Sequence, residues 1–166
     1  STAPIVSSIT TQKADGSYTI GETVDILIAY SEAVTVNTTS GSPTLKMETG
    51  TPDRDAVYVS GSGTDTLTFR YTVEAGDNTT DLDFHASAPF SLNGATIKDP
   101  AGNNADNTLV SAGASGSIGQ ANAIVIDAIL PTISAQTSTA GTTGIALTVS
   151  EAVTGTPDAS DFTVLV

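Results

Sequence analysis

Thr66-Leu67-Thr68-Phe69-Arg70-Tyr71-Thr72-Val73 places Leu67, Phe69, Tyr71 and Val73 on one side of an extended chain and Thr66, Thr68, Arg70 and Thr72 on the other. Successive side chains of a strand point to opposite faces, so this stretch reads as a strand with one face in a core and one in water. Working outward, the same period governs Val24, Ile26, Ile28 and Tyr30, with Asp25 on the opposite face. Shorter candidates are Ile5 to Ile9, Thr44 to Glu48, Ala56 to Ser60, Leu82 to Ala86, Ala95 to Lys98 and Ala123 to Asp127. Turn chemistry separates them at Asp15-Gly16, Gly41-Ser42-Pro43, Gly61-Ser62-Gly63, Asn93-Gly94 and Pro100-Ala101-Gly102. Seven or more short strands punctuated in this way, with no long helical period, predict an all-β antiparallel sandwich of two packed sheets.

Composition supports the class. The chain has 166 residues, 39% of them hydrophobic, enough for one domain with a real core and something left over. Val, Ile and Thr are abundant, and β-branched side chains suit a pleated surface better than a helix. Eighteen Asp and Glu against five Lys and Arg give a net charge of −13. Nucleic acid and anionic membranes are therefore poor partners, because too few cations are available to neutralise phosphates. Divalent cations remain natural partners for such a surface. There is no cysteine, which points to a bacterial or archaeal surface protein that uses staples other than disulfides. No apolar run approaches the roughly 20 residues needed to span a bilayer, so membrane insertion is not expected. Ser1 stands almost directly before a strand with no signal peptide, so the chain reads as a piece of something longer.

An internal repeat organises the rest. Pro4-Ile5-Val6-Ser7 is echoed by Pro131-Thr132-Ile133-Ser134, and Ser31-Glu32-Ala33-Val34-Thr35 returns as Ser150-Glu151-Ala152-Val153-Thr154. The expected organisation is one complete unit over 1–128 and the first strands of a second, incomplete unit over 129–166.

At these residues the chain resembles a known family. Ser-Glu-Ala-Val after a strand, the Asp99-Pro100-Ala101-Gly102-Asn103-Asn104 loop and the Val125-Ile126-Asp127 to Pro131-Thr132 linker occur in that order. Together they resemble the immunoglobulin-like, cadherin-like tandem repeats of large bacterial surface adhesins. The resemblance implies an extracellular, mechanical role, with repeats strung end to end holding a binding tip away from the cell. It also implies calcium at the junctions between neighbouring repeats.

The positions of the acidic residues suggest where calcium would sit. In a sandwich that alternates strand direction, the Glu32 loop and the Asp99–Asn104 loop, Asn103 included, share the entry pole. The Lys13–Gly16 turn with Asp15, the Asp77–Asp83 loop with Asp81, and Asp127 fall at the opposite pole. These groups are the hard oxygen ligands of which Ca²⁺ takes six to eight. The sharpest expectation is one Ca²⁺ bridging Asp127 and Glu151, with Asp15, Asp77 or Asp81 nearby. The plainer alternative is that Asp15, Asp77 and Asp99 are turn residues bonding to adjacent backbone. The Asp77–Asp83 run lacks the glycine and the terminal Glu of an EF-hand loop.

Catalysis is not expected. His85 is the only histidine, placed by alternation on the surface, and no cysteine nucleophile exists. Paired carboxylates suit glycosidase chemistry, but a chain with no Trp and eight Phe and Tyr has little to line a sugar cleft. The same scarcity weighs against a carbohydrate-binding appendage. A second class of function remains open: the subunit of an extracellular filament or surface layer, joined to identical subunits by strand addition through 129–166.

Overall fold

The computed structural model describes residues 2–138, 141 and 145–152, and the chain divides into two compact units, Ser1–Ile129 and Leu130–Val166. The first unit opens with β1 (Val6–Thr11), β2 (Gly16–Tyr18) and the long β3 (Thr23–Asn37). It continues through β4 (Thr44–Glu48), β5 (Arg54–Ser60), β6 (Thr64–Thr72), β7 (Asn78–Thr79), β8 (Asp83–Phe84), β9 (Phe90–Ser91) and β10 (Thr96–Lys98). A four-residue helix, α1 (Ile118–Ala121), precedes β11 (Ile124–Asp127). The large sheet runs β1-β3-β6-β5-β4-β8, with β10 added to β3 and β9 to β4. The small sheet runs β2-β11-β7, in which β2 lies parallel to β11 and β7 antiparallel to it. The architecture is all-β and mainly antiparallel, compatible with a sandwich.

Both sheets turn their apolar faces into one core. Val24, Ile26 and Ile28 of β3, Leu67, Phe69 and Tyr71 of β6, and Ile124 and Ile126 of β11 are fully buried, as the alternation predicts. Each such side chain contributes about 1.5–3 kcal/mol on leaving water, the largest favourable quantity in the fold. Phe69 stands edge-on between Tyr58 and Phe90, at ring distances of 5.8 and 5.6 Å. On the outer face Asp25 and Arg70 are directly opposite in register and form a two-pronged ion pair at 2.6 and 2.7 Å.

One expected loop is strand, and one expected turn leads somewhere new. The sequence ends a strand in Ser31–Thr35 and places Glu32 in a loop, but the strand runs on to Asn37, with a register shift between Ala29 and Val34. The chain stays extended there because partners are supplied on both sides. Ser31 N–H donates to the Ile5 carbonyl, Val36 N–H to Ser62 Oγ, and Thr35–Asn37 pair with β10. Glu32 therefore lies within a strand, not in a loop. Asp15-Gly16 likewise leads into β2, which crosses to pair with β11.

The second unit contains a hairpin of β12 (Ile133–Ser138) and β13 (Ile145–Val149). It reproduces the β1·β3 pairing residue by residue. Val6, Ser8, Ile9, Thr10 and Thr11 correspond to Ile133, Ala135, Gln136, Thr137 and Ser138. Their partners Tyr30, Ala29, Ile28, Leu27 and Ile26 correspond to Val149, Thr148, Leu147, Ala146 and Ile145. The irregularity between Val6 and Ser8 recurs between Ile133 and Ala135. The closing bonds recur as well. Ser31 N–H to Ile5 O and Ile5 N–H to Ser31 Oγ become Ser150 N–H to Thr132 O and Thr132 N–H to Ser150 Oγ. Ser7 Oγ to the Ala29 carbonyl becomes Ser134 Oγ to the Thr148 carbonyl. The offset is 127 positions on the first strand and 119 on the second, so the second unit is eight residues shorter between the two. In the first unit that interval carries β2.

Candidate functional site

The acidic residues singled out by sequence fall into three groups. Asp77, Asp99 and Asp15 hold the backbone together. Asp77 follows β6, where the chain turns, and its carboxylate points inward and is 1% exposed. One oxygen accepts Arg54 Nε at 2.8 Å, and the other accepts the Tyr71 hydroxyl at 2.7 Å and Glu74 N–H at 2.9 Å. Burial and this bond to the Asp77 carboxylate push the Tyr71 phenol far above its ordinary pKa. Asp99 closes its own loop, accepting Asn103 N–H at 2.8 Å and Asn103 Nδ2 at 2.7 Å. Asn103 thus serves the turn through its amide. Asp15 accepts Ala123 N–H at 2.9 Å and locks β2 beside β11.

Asp127, Asp81 and Glu32 form the second group, whose carboxylates make no hydrogen bond or ion pair among the described residues. Asp127 is exposed at the end of β11, and Asp77 is beside it only through backbone, Ala128 N–H donating to the Asp77 carbonyl. Asp15 sits beside Ala123 at the opposite end of β11, about 13 Å of strand away from Asp127. Asp81 precedes Leu82, whose N–H bonds the Ile124 carbonyl, so it lies level with the start of β11. The predicted gathering of Asp15, Asp81 and Asp127 at one pole does not occur, because Asp15 and Asp81 stand level with the start of β11 and Asp127 with its end. Glu32 and the Asp99 loop do border the same segment: Ser31 bonds Ile5, and Asp106 N–H bonds the Pro4 carbonyl.

Glu151 stands alone as the third, in the second unit. Its Oε1 is buried with no hydrogen-bond partner among the described residues. A buried acceptor without a donor is unfavourable by about 1–3 kcal/mol, which a bound cation or proton would relieve.

Two arrangements were not foreseen. Asp83, 8% exposed, accepts Phe84 N–H and Gly113 N–H, both at 2.9 Å, and pins the 111–117 segment to β8. Glu48, Asp53 and His85 bring one donor atom each within 4.8 Å of one another. His85 Nε2 lies 3.9 Å from Glu48 Oε2 and 3.6 Å from Asp53 Oδ2. Glu48 ends β4, Asp53 follows the next turn, and His85 comes just after β8, the strand paired with β4. His85 was expected as an isolated surface side chain. It is half-buried and faces two carboxylates, a juxtaposition that only the β4·β8 pairing creates.

No family model matches the chain, and no curated protein or solved structure matches it either.

Proposed function

We propose that the chain is a non-catalytic, immunoglobulin-like (cadherin-like) spacer repeat from a bacterial extracellular adhesin or similar surface protein, placed between neighbouring repeats of its own kind. The observation that carries this reading is the second hairpin. It matches β1·β3 in register, in the position of the irregularity and in the three serine-centred bonds. A repeated supersecondary unit with a repeated sequence is the signature of an array. Calcium is part of the proposal, held by carboxylates without a partner among the described residues: Asp127 in the first unit and Glu151 in the second.

The test is thermal unfolding in EDTA and in millimolar calcium, with sedimentation of the same samples. A ligand at about 100 times its Kd adds roughly 2.7 kcal/mol, or on the order of 10 °C at this size. The expected result is a calcium-dependent rise, reduced in Asp127→Ala or Glu151→Ala, from a monomeric species. An unchanged midpoint overturns the calcium part.

One observation favours the filament reading instead. Ile133 is 60% and Leu147 39% exposed, and β13 pairs only with β12 among the described residues. Such a hairpin can accept a strand from another molecule. Concentration-dependent assembly that stops when Leu147 is changed to Lys would establish that reading over the spacer.

A further inference from the structure

We propose that Glu48, Asp53 and His85 form a binding site for a divalent transition-metal ion of the zinc type, separate from any calcium site. Two carboxylate oxygens and an imidazole nitrogen converge, with Nε2 at 3.6 and 3.9 Å from its two oxygen neighbours. Around a tetrahedral ion with bonds of about 2.0–2.2 Å, donors stand roughly 3.4 Å apart. The two imidazole–carboxylate separations need a contraction of a few tenths of an ångström, and the two carboxylate oxygens, which lie within 4.8 Å of each other, close the set by rotating on their exposed or half-buried side chains.

Two further observations point to a cation. First, the other ring nitrogen, Nδ1, lies 3.0 Å from the Ser87 carbonyl. That contact outside the cluster orients the ring and leaves Nε2 free in the matching tautomer, the usual arrangement of a metal-binding histidine. Ser87 N–H also lies 3.2 Å from Nδ1, a bond open only to the other tautomer, so the two contacts are alternatives and a metal on Nε2 selects the one to the carbonyl. Second, no Lys or Arg among the described residues pairs with Glu48 or Asp53. The nearest cations on these strands are committed elsewhere, Lys46 to Asp55 and Arg54 to Glu74 and Asp77. Two carboxylates held beside one imidazole in a chain of charge −13 leave negative charge to be balanced.

The imidazole decides the class of ion. Calcium takes oxygen donors, whereas an N,O set suits zinc and its first-row neighbours. Three protein donors leave a fourth position for water. The side chains are half-buried or exposed, so the ion enters without opening the fold.

The experiment is calorimetric titration of the metal-free full chain with Zn²⁺ and, separately, Ca²⁺. It is repeated on His85→Gln and Asp53→Asn, with the imidazole followed by NMR. The expected result is a zinc site whose affinity falls at least about tenfold in either variant, as loss of a ligand requires. The His85 ring signals should shift on zinc addition, and Ca²⁺ binding should be unaltered by His85→Gln. Absence of zinc binding, or equal zinc binding by His85→Gln, overturns the proposal. Calcium binding by the unsubstituted chain, present or absent, bears only on Asp127 and Glu151, so the two proposals fail independently, whereas its loss in His85→Gln would overturn the separation of the two sites.

Discussion

Replacing Asp77 by Ala tests whether the most deeply buried carboxylate is a structural tie or a metal ligand. The substitution removes the acceptor of three bonds. It leaves the Tyr71 hydroxyl, on a side chain with no exposure, without a partner, and frees the Glu74 N–H in a partly buried turn. An unsatisfied buried polar group costs about 1–3 kcal/mol. Arg54 retains Glu74 at 2.9 Å and water, so nothing is added for it. The loss should be about 3 kcal/mol, a fall in Tm on the order of 10 °C for a unit of this size. The chain has no Trp, so urea unfolding is followed by circular dichroism and tyrosine fluorescence. A structural tie loses this stability equally in EDTA and in calcium. A loss below about 1 kcal/mol, or one confined to calcium-containing samples, would refute the reasoning.

Other outcomes follow from particular groups. Gly61 has φ +107° and a Cβ there would meet the Thr66 carbonyl oxygen at 2.1 Å, so Gly61→Ala should lower stability by about 2 kcal/mol or more in chemical unfolding. Burial holds the Tyr30 and Tyr71 phenols above the ordinary 10.0, so absorbance titration should find two of the four tyrosines silent until the chain unfolds. A phenol with a raised folded pKa stabilises the fold below its unfolded value, and that contribution disappears as pH rises through the folded value. Asp25, through its bond to Arg70, and Asp106, through its bond to Thr108, lie below the ordinary 3.8. Their contribution is present above 3.8 and lost as pH falls through the folded values, so Asp25→Asn should flatten the acid limb slightly, the pair being exposed.

The sequence disclosed the strands better than their neighbours. Alternation at 66–73 and 24–30 identified the two central strands, because period-two burial is a local property. The Pro-Ile-Val-Ser and Ser-Glu-Ala-Val-Thr echoes marked the positions where the second hairpin copies the first. What stayed hidden depends on who pairs with whom. Ser31–Thr35 stays extended because Ile5 accepts from Ser31, Gly63 donates to the Val34 carbonyl, and β10, some sixty residues downstream, pairs from Thr35 onward. Asp77 stands in a run that looks solvated, and only Tyr71 and Arg54 together reveal that its side chain turns inward. Glu48 and His85 have no local signal for meeting, since the β4·β8 pairing joins segments far apart in sequence. Asp and Glu are legible as oxygen donors, but sequence does not tell which of those oxygens the backbone has already taken.

In the spacer role we propose, the first unit bears tension between neighbouring repeats, and the pairing of β2 with β11 is where that load falls. The chain enters through β1 and β2 and leaves through β11, and β2 lies parallel to β11. Pulling the ends apart slides these two strands along each other and strains their hydrogen bonds together. Single-molecule stretching of the chain by its termini measures this directly. The expected result for the first unit is one cooperative rupture that releases about 400 Å of chain, the extended length of Ser1–Ile129 less its folded span, apart from any lengthening of Leu130–Val166. Gradual lengthening of the first unit from low force, or its release in several small steps in place of the event of about 400 Å, would contradict the proposed role.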